Sequence, residues 1–166
     1  MSTTEEVKEN KSDYVKPSLS PYLYFKGNGN EAMAWYTEKI GATTEFKVTF
    51  KDGPPVAEEH KDCVMHAMMK IHDSVIMLSD DIGCYGENDA TVVGNNVTLN
   101  MGYHWRDLEE MKKVFNDLSE GGKIIMPLEH QFWAATYGKF VDKFGITWSF
   151  NCHDADYQEN KKARTD

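Results

Sequence analysis

The apolar positions of this chain change period several times between residues 20 and 151, and each change marks an element. Ser20-Pro-Tyr-Leu-Tyr-Phe-Lys26 alternates apolar with small or polar residues and stops at Gly27-Asn28-Gly29, which predicts a strand entering a turn. From Glu31 to Ile40 the residues Ala32, Met33, Trp35, Tyr36 and Ile40 recur at three- and four-residue steps. That is helical spacing, with Asn28 or Asn30 as the expected cap and Gly41 as the stop. Thr43 to Phe50 is a β-branched strand closed by Asp52-Gly-Pro-Pro55. An acidic loop leads to Val64–Ile71 and Val75–Ser79, which read as an antiparallel hairpin about His72-Asp73-Ser74.

After a Gly-rich stretch from Ile82 to Asn95 the same order returns. Asn96 to Tyr103 is a strand, and Asp107 to Leu118 is a helix with Leu108, Met111, Val114, Phe115 and Leu118 on one stripe, stopped by Gly121-Gly122. Lys123 to Met126 is a short strand ahead of Pro127, and 137–141 and 146–151 form a hairpin around Asp142-Lys-Phe-Gly145. Strand, helix, strand, strand, strand thus occurs twice. A duplicated βαβββ unit predicts an α+β domain over 19–152, with modules at about 19–81 and 95–152. Two such modules make a curved mixed sheet with the helices on its convex side and a concave groove, where small ligands bind. Residues 1–18 are too polar to offset the entropy of ordering and read as a flexible tail; 153–166 read as a polar tail.

Composition narrows the partners. Across 166 residues, 27 Asp and Glu against 18 Lys and Arg leave a net charge of −9. With no basic patch, such a field repels a phosphate backbone, so no nucleic-acid partner is expected. No apolar run reaches the ~18 residues of a membrane span, and the first residues lack the apolar stretch of a signal peptide, so no membrane partner is expected either. Three widely spaced cysteines, Cys63, Cys84 and Cys152, form neither a disulfide framework nor a metal knuckle, which fits a reduced, cytoplasmic setting.

The chemical candidates are few. Gly27-Asn-Gly-Asn-Glu-Ala32 has the form of a dinucleotide-binding turn, but two hairpin strands follow where a parallel βα alternation is needed, so turn and helix cap is the preferred reading. The six histidines share no metal-ligand spacing. His66, inside a strand among methionines, is the best polar candidate of the first module, either as a hydrogen-bonded structural imidazole or as a ligand contact. Gln131-Phe-Trp-Ala-Ala-Thr-Tyr-Gly138 places three aromatics in an expected loop, where Phe132 and Trp133 either cover a pocket or plug the end of the sheet. The methionines at 65, 68, 69, 77, 101, 111 and 126 fill the core or line an adaptable groove.

Several of these motifs together resemble a known family. They are Ser20-Pro-Tyr-Leu-Tyr-Phe with its Gly27/Asn28 turn, Ala34-Trp-Tyr36 before Ile40-Gly-Ala42, His66-Ala67, Ile76-Met-Leu-Ser-Asp80, Phe132-Trp-Ala, Tyr137-Gly-Lys and Asp142-Lys-Phe-Gly-Ile-Thr-Trp148. As a set they look like the vicinal oxygen chelate superfamily of glyoxalase I, bleomycin-resistance and fosfomycin-resistance proteins, and more closely its PhnB-like branch. The resemblance implies a homodimer. In that superfamily's enzymes, His and Glu side chains on several strands hold a divalent metal. By order of elements those positions fall here near Pro21 or Tyr22, Val97 or Thr98, and Ser149, none of which is His, Asp or Glu. The expectation is therefore a small-molecule-binding protein with no cofactor and no tightly bound metal. The alternative is a metal-assisted lyase, isomerase or transferase that uses His66. The ligand site is expected in a concavity lined by Tyr22, His66, Asn100, Lys139 and Ser149 with Trp133 over its mouth. Thr147 and Asn151 should share the face of Ser149, and Trp148 should point toward the helices.

Overall fold

A computed structural model describes residues 19–83 and 91–157. The expected tail at 1–18, Cys84 and residues 158–166 of the polar tail lie outside the described residues. The first module runs β1 (Tyr22–Phe25), α1 (Gly29–Ile40), β2 (Thr43–Thr49), β3 (Val64–Ile71) and β4 (Ser74–Asp80). The second runs β5 (Leu99–Tyr103), α2 (Leu108–Ser119), β6 (Lys123–Gln131), β7 (Ala135–Val141) and β8 (Thr147–His153).

Each module forms its own four-stranded mixed sheet, in the orders β1-β4-β3-β2 and β5-β8-β7-β6. β1 runs parallel to β4 and β5 parallel to β8, while the remaining neighbours are antiparallel. Strand alternation sorts the side chains of each sheet onto two faces. Leu23, Phe25, Ala67, Met69, Ile76 and Leu78 point inward from the first sheet; Phe140, Trp148, Phe150 and Cys152 point inward from the second. These residues join Ala32, Met33 and Tyr36 of α1 and Met111, Phe115 and Leu118 of α2 in a single apolar core that crosses both modules.

The turn into α1 shows why two glycines stand there. Gly27 has φ 84°, a left-handed conformation that costs a glycine little. The Gly29 N–H donates to Asp80 Oδ1 at 2.8 Å, and the other Asp80 oxygen accepts the Val64 N–H at 2.7 Å. A Cβ at Gly29 would lie 2.9 Å from Asp80 Oδ1, so glycine is required for this approach. The cap of α1 is therefore a carboxylate from β4. Asn28 makes no capping bond and Asn30 reaches the Asp62 carbonyl instead, which corrects the expectation of an Asn cap.

A second buried carboxylate ties the modules together. Asp142, at the turn between β7 and β8, accepts the Tyr36 hydroxyl at 2.8 Å and the Trp148 indole N–H at 2.9 Å on Oδ2. Its Oδ1 accepts the Phe144 and Ile146 backbone N–H groups, each at 2.9 Å. Burial pushes this carboxyl above its ordinary value, while the hydrogen bonds pull it down. Tyr36 is pushed well up by burial and by the Asp142 charge.

Two elements differ from the sequence pattern. β6 does not stop before Pro127 but continues to Gln131. Pro127 is tolerated because β6 is an edge strand, paired among the described residues with β7 alone, and the pairing shifts register between Met126 and Glu129. Consequently the aromatic stretch is not a long loop. Phe132, Trp133 and Ala134 make a tight β6–β7 turn, Ala134 at φ 56°, and Ala135 already belongs to β7. β8 likewise extends through His153, past the expected start of the polar tail.

Candidate functional site

Among the described residues no hydrogen bond joins the two sheets, and a cleft opens along the seam between β1 and β4 of one and β5 of the other. At one end it encloses about 890 Å³, bounded by the turn after β3 (His72, Asp73), the start of β4, β5 and the entry to α2. At the other end a second hollow of about 340 Å³ is bounded by Tyr22, Tyr24, Val92, Val93, Phe144 and Ile146. Pro21 and Leu99 line both, so the two hollows adjoin along the seam. The volumes suit a small organic molecule.

Tyr103 of β5 stands at the wall between this cleft and a neighbouring one under Lys70 and Lys113. Its hydroxyl is buried and has no hydrogen-bond partner among the described residues. Burial, with a smaller contribution from the Glu110 charge, raises it to about 12, so it stays protonated. Beside it the His104 Nδ1 accepts the Arg106 backbone N–H at 3.2 Å, which leaves Nε2 as the protonated nitrogen of the neutral ring.

The six sequence candidates fall into three groups. Tyr22 and His66 share the outer face of the first sheet, where the Tyr22 hydroxyl and His66 Nδ1 are 2.9 Å apart and the rings stack at 5.6 Å. Tyr24 stacks on Tyr22 at 4.9 Å and Phe46 leans on His66 at 5.9 Å, so this face carries a half-exposed aromatic sheet surface. Met68 and Met77, in register with Phe46 and Tyr22, complete it.

Asn100, Ser149 and Lys139 form one row across the outer face of the second sheet, Ser149 being in register with both neighbours. The Asn100 amide donates to Ser149 Oγ at 2.8 Å. Trp148 points the other way, into the core against Tyr36 at 5.7 Å, so the face assignment of β8 holds. Trp133 stands apart in the β6–β7 turn, edge-on to Tyr137 at 5.9 Å. Of the six, Asn100 lines the larger hollow and Tyr22 the smaller. Among the described residues no hydrogen bond or ring contact links the Tyr22–His66 pair to the Asn100–Ser149–Lys139 row.

The fifth-strand position opposite Ser149 is Asn100. Val97 and Thr98 precede β5, and this corrects their expected placement. An amide, a hydroxyl and the Lys139 ammonium do not make a site for a divalent cation, because two are weak neutral donors and the third repels it. Among the described residues no group of three or more His, Cys, Asp or Glu side chains is placed to hold a metal ion. His72, His104, Asp107 and Glu110, which surround the larger hollow, escaped the sequence reading. No local pattern marks them, since what brings them together is the way the ends of β3 and β5 and the start of α2 meet.

The comparisons agree on one relationship. The profile of the Glyoxalase/Bleomycin resistance protein/Dioxygenase superfamily matches residues 18–150. Protein YjdN of Escherichia coli K12 is 33% identical over 144 residues, covering 80% of this chain and 93% of YjdN. The crystal structure of PA1353 from Pseudomonas aeruginosa superposes with a TM-score of 0.71 at 33% identity, covering 83% of this chain and 98% of that one. The PhnB protein from Bacillus cereus superposes at 0.67 with 23% identity, covering 82% and 99%, and shares the fold. Among the described residues no helix is long and apolar enough to cross a membrane.

Proposed function

The chain belongs to the Glyoxalase/Bleomycin resistance protein/Dioxygenase superfamily, and on that premise we propose that it binds a small organic molecule in the seam between its modules without a tightly bound metal. The observation that carries this reading is the pair of adjoining hollows along β5, the smaller lined by Tyr22 and the larger by Asn100. Leu99, Met101 and Trp148 give the larger hollow apolar surface, and polar side chains such as Asn100, His72 and His104 stand around it, a mixture suited to a small organic ligand. Metal independence is supported by the donor set around Ser149, where Asn100 and Lys139 stand in place of carboxylates or imidazoles.

The functional unit in this reading is a homodimer. Support comes from the outer sheet faces and edges, which leave Tyr24, Phe46, Ile124 and Ile125 about half exposed in the single chain. A second copy is the economical cover, because symmetric association buries the same patch twice. Cys63 and Cys152, free thiols among the described residues, support a reducing, cytoplasmic setting.

A screen of small molecules read by indole fluorescence and by amide shifts of 99–103 tests the ligand reading. Binders that move those amides support it, and binders that move only surface residues elsewhere overturn it. Stoichiometric zinc, nickel or manganese in untagged protein as purified overturns the metal-independent reading. Light scattering at micromolar concentration that gives the mass of one chain overturns the dimer.

A further inference from the structure

The middle of the second sheet's outer face holds a cation without a counter-charge. Lys139 lies on β7, an interior strand, with Ser149 in register on one side and Met126 on the other. It is half-buried, yet it makes no ion pair among the described residues. The carboxylate next along this face, Glu129 opposite Tyr137 on the edge strand, is not paired with it either. A cation drawn partly out of water in this way lacks the compensation that such groups normally have. Beside it, Ser149 is 4% exposed. Its Oγ accepts the Asn100 amide at 2.8 Å, and no acceptor among the described residues takes its own proton. Buried hydroxyls ordinarily spend both capacities. Asn100 thus engages the oxygen from the β5 side and leaves the proton to be donated next to the ammonium. Residues directly opposite each other place their Cβ atoms about 5 Å apart, close enough for both donors to reach one oxyanion.

We propose that this row holds the oxyanion of an organic acid, with Lys139 and Ser149 donating to its oxygens and Asn100 keeping the hydroxyl in position. The inference rests on the reading of the seam as a small-molecule site and adds the chemical class of the occupant. Asn100 is also a wall of the larger hollow, so the rest of the molecule extends from the row into that hollow. The donor set that turns away a divalent cation admits an anion. A neutral ligand leaves the ammonium uncompensated, and an organic cation meets it as a barrier. Hydrogen bonds from an ammonium or a hydroxyl to an oxyanion are roughly twice as strong as their neutral counterparts. The net charge of −9 opposes every anion at long range, so the discrimination is made at contact distance.

The test uses three probes of one skeleton: phenylpropionate, phenylpropanol and phenylpropylammonium. Each is titrated into the full-length protein. Amide shifts of 99–103 report the hollow, and those of Lys139 and Ser149, with the Asn100 side-chain amide, report the row. The expected order of affinity is carboxylate, then alcohol, then ammonium, and the carboxylate should move both sets. In Lys139→Met, which keeps an unbranched stem without the charge, the carboxylate's advantage over the alcohol should fall roughly tenfold. Ser149→Ala should reduce the same advantage roughly threefold. Urea unfolding checks that both variants are folded, and the order of the probes on the wild type tests the inference without them. Ammonium binding as tightly as carboxylate, or a carboxylate advantage that survives Lys139→Met, overturns the inference. If alcohol and carboxylate bind equally and move 99–103 but not Lys139 and Ser149, the oxyanion row falls and the seam reading stands. If the carboxylate moves Lys139 and Ser149 but not 99–103, the row holds its anion and the seam reading falls. If no probe moves either set, both fall together.

Discussion

Removing the Tyr36 hydroxyl should destabilise the whole domain, although the change is a single oxygen. In Tyr36→Phe, Asp142 Oδ2 keeps the Trp148 N–H, and Oδ1 keeps its two backbone donors, so the carboxylate loses one of four hydrogen bonds. Asp142 is 3% exposed and Tyr36 0%, so water does not replace the lost donor. A hydrogen bond to a charged group is worth about 1.5–3 kcal/mol, and that is the expected loss. Asp142→Ala should cost more, because it orphans two buried donors, the Tyr36 hydroxyl and the Trp148 indole, at about 1–3 kcal/mol each, and two part-buried backbone N–H groups besides. Asp142→Asn is the sharper probe. Its carbonyl can serve the two backbone N–H groups, but its amide then faces the indole N–H, donor against donor. The assay is urea unfolding of the three single variants and the Tyr36→Phe/Asp142→Asn pair. The pair should be non-additive by more than about 0.5 kcal/mol, since the residues share one bond. A loss below about 0.5 kcal/mol in Tyr36→Phe, or full additivity, refutes the view that this carboxylate joins the modules.

Asp142 also gives a pH signature. Because burial raises its folded-state pKa above the ordinary 3.8, the folded chain holds that proton more tightly than the unfolded one. The contribution of this group is therefore fully present below the ordinary value and is lost as pH rises through the raised one; in Asp142→Asn this part of the acid-range slope of stability should vanish. Gly29→Ala should cost about 1–3 kcal/mol, because the new Cβ pushes Asp80 off the Gly29 N–H, and thermal unfolding measures it. Trp148→Ala should cost about 3–5 kcal/mol through the cavity it leaves beside Tyr36, read by urea unfolding. Phe132→Ser, at a side chain 96% exposed, should leave stability within about 0.5 kcal/mol of wild type in the same assay.

The duplicated element order was legible because it rests on strong periodic signals. The stripe Met111, Phe115 and Leu118 is buried as its spacing demands, and Trp148 lies inward while Ser149 faces the opposite side. Errors arose where a distant residue decided a local question. Asn28 and Asn30 are good caps in isolation, yet Asp80, fifty-one residues after Gly29, takes that role. Pro127 ends a central strand but not an edge strand, and edge position is a property of the sheet, invisible in the run of residues. The site was half legible for the same reason. Alternation predicted that Tyr137 and Lys139 share a face and that His66, Met68 and Lys70 share another. Which edges meet across the seam depends on how two sheets settle on one core, and His72, Asp107 and Glu110 reach the cleft through that arrangement alone.

Pro127 has a bearing on how this protein behaves when crowded. β6 is nine residues long and offers an unpaired outer edge, with Ile124, Ile125 and Met126 partly bare beside it. A flat ladder of that kind templates strand addition and, from there, fibrils. Pro127 deletes an amide donor in the middle of it, and the register shifts on either side put a twist into the strand. The residue that misleads a reader of the sequence into ending the strand early is therefore a gatekeeper. It lets a long, greasy rim exist without open-ended, strand-by-strand addition of further chains.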